Sequence, residues 1–151
     1  MQNFPHHYSV TASGQAEGNV VVMSNGLPEL VTASPPEFDG PEGVWSPETM
    51  LTGAVANCYI LTFRAVARAS RLAWDGLECS VVGVLDRIDR VTRFTEMHLY
   101  VKLQLPAGSD AEKAQRLLEK AEQACLITNS LTAKVELHAE VWSEPAVAVT
   151  G

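Results

Sequence analysis

The chain has 151 residues, 46% of them hydrophobic, with a formal net charge of −7. That length is one ordinary domain with enough apolar material for a core, so neither disulfides nor a structural metal is needed to explain folding. The acidic balance excludes nucleic acid as the main partner, because phosphate neutralisation needs clustered Lys and Arg, and no polybasic patch marks a membrane surface.

Residues 1–10 lack a basic stretch followed by an apolar run, so no secretory signal is expected and a cytoplasmic location is inferred. His7 to Ala12 and Val20 to Ser24 read as short strands around a Gly-containing turn. Asn25-Gly26 is a second turn signal, and Glu29 to Ala33 a third strand. Ser34 to Trp45, with its prolines and glycines, reads as a loop.

Ser46 opens a helix. It is a good N-cap, Pro47 suits the first helical position, Glu48 complements the dipole, and Trp45 and Met50 occupy the staple positions. The helix is expected to run to Arg71, about 39 Å at 1.5 Å per residue. Its segment Thr49 to Phe63 carries no charge. That segment is shorter than the roughly 20 apolar residues of a spanning helix and reads as a buried core helix. A rod apolar on nearly every side needs more cover than one such chain supplies, and a dimer would give it.

Trp74-Asp75-Gly76 is a turn. Leu77 to Ile88 and Arg93 to Leu105 read as a hairpin, the second strand placing Thr95, Met97, Leu99, Val101, Leu103 and Leu105 on one face. Ser109 to Glu112 has the form of a capping box, with Ser109 as cap, opening a helix that ends near Cys125. Val135, Leu137, Ala139 and Val141 alternate with polar neighbours in a final strand, and residues 143–151 read as a frayed tail. The order of elements gives a single α+β domain over 1–151 with a mostly antiparallel sheet.

Three cysteines, Cys58, Cys79 and Cys125, share no CxxC or metal-finger spacing. A free cysteine is commonly a small buried hydrophobe, and Cys79, on a strand without a partner motif, reads that way. His98 and His138 fall on the polar faces of strands and read as surface residues. His6 and His7 lie at the terminus, and a metal role for them ranks low. Gly40 and Gly43 form no phosphate loop. No cofactor and no metal is called for.

The surroundings of the other two cysteines carry more. Ser46-Pro47-Glu48-Thr49-Met50-Leu51, followed by Ala54-Val55-Ala56-Asn57-Cys58, resembles the motif at the first cysteine of the OsmC/Ohr family, where an Asn-Pro-Glu-type helix start precedes the cysteine by the same spacing. Ala121 to Asn129 resembles the family's second site, usually Cys-Pro-x-Ser, with Leu126 in place of Pro and Thr128 in place of Ser. The resemblance spans roughly residues 6 to 142.

It implies an OsmC-like fold, with sheets packed around two helices and the long helix buried at an intertwined homodimer interface. It also implies a peroxidase. Cys58 would attack an organic hydroperoxide, Cys125 would resolve the sulfenic acid as a disulfide, and a dithiol reductant would reopen it; neither nucleic acid nor membrane takes part. Glu48 would share the site. Because Glu48 and Cys58 are ten residues, about 15 Å, apart on one helix, that Glu48 would have to come from the second chain.

The family pairs this Glu with an activating Arg, and the positions that match it here hold Gln15 and, before Phe38, Glu37. Arg64 and Arg68 are candidate substitutes. Without a cation, Cys58 is expected to keep a pKa close to that of a free thiol. The alternative function is a non-peroxidatic dimer that binds a hydrophobic ligand or serves as a thiol redox sensor.

Overall fold

The computed structural model describes residues 1–144. The chain divides into two compact units, Met1–Leu51 and Thr52 onward.

In the first unit β1 (Thr11–Ser13), β2 (Val20–Met23) and β3 (Leu30–Thr32) form an antiparallel sheet in that order. The turns between them use Gly18 and Gly26, both at positive φ, the conformation glycine adopts without a Cβ penalty. The first strand is shorter than expected. Its register with β2 covers only Thr11 to Ser13, and residues 7–10 are exposed. The expected loop contains one short 3-10 helix, Pro36–Phe38. Gly40 follows it where a Cβ would collide with the Ser34 carbonyl, so this close approach of backbone to backbone requires glycine.

Helix α1 is Pro47–Ala69. Ser46 caps it reciprocally: the Thr49 N–H donates to Ser46 Oγ at 3.1 Å, and the Ser46 N–H donates to Thr49 Oγ1 at 2.9 Å. Thr49 thus fills the place a Glu takes in the usual capping box.

The second unit holds most of α1, then β4 (Gly76–Ile88), β5 (Val91–Leu105), α2 (Ala111–Ala124), the single-turn α3 (Leu126–Asn129) and β6 (Lys134–Ser143). β4 and β5 form the expected hairpin, with Ile88 opposite Val91. Asp89 and Arg90 both sit at positive φ, as a two-residue turn of the favoured hand demands. The alternation in β5 is realised: Met97, Leu99, Val101, Leu103 and Leu105 are buried.

β6 lies parallel to β5, because the chain crosses through α2 and α3 before returning; the other three strand pairings are antiparallel. The first sheet is therefore wholly antiparallel, and the second carries one parallel edge strand. The cap of α2 falls one residue later than expected. Asp110 accepts from the Lys113 N–H at 3.0 Å, while the Ser109 hydroxyl closes the preceding turn onto the Pro106 carbonyl at 2.7 Å. Both residues are good caps, and the tight turn after Pro106 takes the first of them. Ser143 closes β6, and the rest of the expected tail, residues 145–151, lies outside the described residues.

α1 is long and apolar enough, by length and composition, to cross a membrane. Its packing marks it as a core helix. Val55, Tyr59, Phe63 and Ala67, spaced by four, are fully buried, and the Tyr59 hydroxyl donates to the Leu118 carbonyl of α2 at 2.9 Å. Burial is nevertheless one-sided. Leu61, on another face, is 50% exposed, so a single chain does not enclose the helix as its sequence leads one to expect.

Candidate active site

Cys58 sits one residue before the buried Tyr59 and is half-buried, at the border between the packed and open faces of α1. Cys125 is fully buried and occupies a junction: it is the C-cap of α2 and the N-cap of α3. The short α3 turns its first amides toward α1. As a result the Cys58 sulfur meets the backbone N–H groups of Ile127 and Leu126 and the thiol of Cys125. Thr62 Oγ1 lies 3.8 Å from the same sulfur. The thiols are all free.

The two cysteines are pushed in opposite directions. Burial works against ionisation of Cys58, but the hydrogen bonds from the Ile127 N–H, the Cys125 thiol, Thr62 and the Leu126 N–H outweigh it and lower its pKa. Thr62 ranks behind the Ile127 N–H and the Cys125 thiol among these donors. Its single hydroxyl proton is committed to the Cys58 carbonyl at 2.7 Å, which leaves little for a sulfur 3.8 Å away.

Cys125 is raised, first by burial and further by the adjacent Cys58, against a smaller opposing contribution from the Thr128 N–H and hydroxyl. The pair therefore favours a Cys58 thiolate accepting from a Cys125 thiol. The direction at Cys58 is toward the thiolate, although no arginine among the described residues stands beside it. A mid-helix cysteine has no helix N-terminus of its own, but another segment supplies amides to it.

A cleft of about 530 Å³ opens at Cys58, walled by Ala54, Leu61, Ala65, Leu126 and Ile127, with Asn57 and Thr62 as its polar members. It suits an apolar molecule with one polar reacting end. Arg64 and Arg68 are exposed.

Glu48 belongs to the first unit, in the opening turn of α1, where its Oε2 is buried. There it lines a cavity of about 580 Å³ together with Val20, Val22, Pro35, Phe38 and Met50. The structure thus brings Cys58 and Cys125 together and places Glu48 in a separate cavity of the first unit. Sequence reasoning missed Thr62, Leu126 and Ile127. Thr62 was findable as the residue one helical turn beyond Cys58, whereas backbone amides leave no mark in a sequence.

Comparison with known proteins agrees with this architecture. Residues 40–140 match the model of the family described as OsmC-like protein. The uncharacterized protein YmaD of Bacillus subtilis is 30% identical over 141 residues, which cover 89% of this chain and 93% of that protein. An OsmC-like protein of unknown function from Vibrio cholerae superposes with a TM-score of 0.80 at 17% identity, over 91% of this chain and 100% of the other. An organic hydroperoxide resistance protein from Elizabethkingia anophelis gives 0.76 at 20% identity, over 95% and 100%. With its family model matched across most of its length and a fold shared with these structures, the chain belongs to the OsmC-like protein family.

Proposed function

We propose that this protein is a thiol peroxidase that reduces organic hydroperoxides. The observation that carries the proposal is Cys58 lining an apolar cleft with the buried Cys125 thiol beside it, Cys58 favoured as thiolate and Cys125 as thiol.

The chemistry follows from that asymmetry. The Cys58 thiolate attacks the terminal oxygen of the hydroperoxide. The O–O bond breaks, sulfur takes the hydroxyl as a sulfenic acid, and the organic half leaves as an alkoxide. The Cys125 proton, already directed at the reacting sulfur, is the nearest one available to make the alcohol. Its loss leaves Cys125 as the thiolate that displaces hydroxide from the sulfenic acid and closes the Cys58–Cys125 disulfide. An external dithiol, as found in the reducing cytoplasm, reopens the bridge and is itself oxidised.

The apolar walls select organic hydroperoxides over hydrogen peroxide. The working form is a homodimer, which covers the open face of α1 around Leu61. In it Glu48 of the second chain completes each site, since its ten-residue separation from Cys58 along one helix keeps it from the site of its own chain.

A second reading, a hydrophobic-ligand binder or redox sensor on the same dimer, is favoured by one observation: Gln15 and Glu37 stand where the activating Arg is expected. Rapid mixing of reduced protein with cumene hydroperoxide and with hydrogen peroxide, followed by thiol counting and peptide mapping, separates the two. The peroxidase consumes cumene hydroperoxide faster and loses two thiols per chain, Cys58 and Cys125. Oxidation no faster than that of a free thiol, or a bridge through Cys79, contradicts it.

A further inference from the structure

The outer face of the second sheet holds a group of side chains that the thiol chemistry does not use. In β5 the residues between the buried Met97, Leu99 and Val101 point away from the core, among them His98 and Tyr100. The parallel register of β6 sets Glu136 opposite His98, and His138 opposite Tyr100. Glu136 and His138 are two residues apart and so share the same face. Three potential ligand atoms converge there. His98 Nδ1 is 3.3 Å from Glu136 Oε2 and 3.5 Å from His138 Nε2, and those last two atoms are 3.9 Å apart.

The size of this triangle is informative. A point equidistant from its three corners lies about 2.1 Å from each, the bond length of a zinc-type ion to imidazole nitrogen or carboxylate oxygen. The surrounding groups prepare the donors. Glu96 Oε2, 3.6 Å from His98 Nε2, is placed to hold the ring proton on that nitrogen when Nδ1 takes an ion. Lys134 Nζ takes the other carboxylate oxygen of Glu136 at 3.1 Å, so Oε2 is the one turned to the histidines. Tyr100 stacks on the His138 ring at 4.8 Å and 13°, which steadies its plane.

We propose that His98, Glu136 and His138 bind a divalent first-row transition ion on the outer face of the β4–β5–β6 sheet. Two imidazoles and one carboxylate suit zinc, nickel or copper better than magnesium or calcium, which prefer all-oxygen shells. Three protein ligands leave a fourth position open to solvent, the arrangement of a site that exchanges a ligand. Side chains on adjacent strands of one paired ladder hold it, so it needs no thiol.

The test is a zinc titration, by calorimetry, of the full chain after alkylation of the reactive Cys58 with iodoacetamide, repeated with cobalt followed by its visible absorption. One ion per chain with micromolar or tighter affinity is expected. His98→Ala and His138→Ala should each weaken it at least tenfold, Glu136→Gln should weaken it less, and a double replacement of His6 and His7 by Ala should leave it unchanged. His138→Ala should also leave hydroperoxide turnover of the unalkylated protein unchanged. Because alkylation could disturb the chain, the reduced protein and its His98→Ala variant are titrated alongside, and the difference of one bound ion must appear there as well. No bound ion in either form, affinity indifferent to His98 and His138, or binding that follows His6 and His7 overturns the proposal.

Discussion

Cys58 and Cys79 lie in the same unit of the fold, are both half-buried, and differ in what surrounds the sulfur. Cys79 sits in β4 opposite Val101, where burial, helped by Cys125, pushes its pKa from the ordinary 9.0 up to about 11. Cys58 suffers the same desolvation, but α3 and Cys125 point N–H and S–H groups at it, and its pKa falls. Removing a thiol from water makes it inert unless donors replace the water, so reactivity here is a property of the segment at Cys125–Ile127 as much as of Cys58.

The contrast can be broken at several points. The largest effect is expected from Cys58→Ser, which should lower cumene hydroperoxide turnover at least about a thousandfold, since an alcohol is not ionised at neutrality. Cys79→Ala should leave turnover within about twofold, because a thiol with a pKa near 11 is about one part in ten thousand ionised at pH 7. Steady-state peroxide consumption measures both, and a large loss in the Cys79 variant would erase the distinction.

Leu126→Pro is the sharper change. Leu126 occupies the first position of α3, where proline is tolerated, and Cys125 already has the extended backbone, φ −66° and ψ 111°, that a residue before proline adopts. The variant removes one N–H from the Cys58 sulfur and leaves the fold in place. Losing this donor, the smallest of the four to the Cys58 sulfur, should raise the Cys58 pKa and slow the reaction at pH 7 about two- to threefold. Stopped-flow peroxide consumption across pH reports both quantities, and the rate should recover as pH rises. Thr62→Val should likewise do little, less than about twofold, because the hydroxyl proton is engaged mainly by the Cys58 carbonyl. A tenfold loss there would mean that the hydroxyl turns to the thiolate.

The same contrast shows what a sequence displays and what it hides. Period-two alternation marked the buried face of β5 from Met97 to Leu105, and Ser46-Pro47 marked the start of α1, because local rules set both. The cap of α2 moved from Ser109 to Asp110 because two cap-forming residues stand in a row and only the turn geometry chooses between them. The donors to Cys58 were hidden. Two of them are backbone groups almost seventy positions away, brought in by a four-residue helix too short for any periodic signal. His98 and His138 were correctly read on polar faces, but their convergence with Glu136 depends on the parallel register of β6, which alternation within single strands does not encode.

In the proposed mechanism Cys58 is activated without an arginine. The direct measurement is the pH dependence of iodoacetamide alkylation at each cysteine of the reduced protein, read peptide by peptide by mass spectrometry. A group whose pKa is lowered stays reactive as pH falls until that pKa is crossed. Cys58 should therefore keep labelling at lower pH than an ordinary free thiol, while Cys79 should label only as pH approaches about 11. A Cys58 midpoint at or above the free-thiol value would contradict the claim.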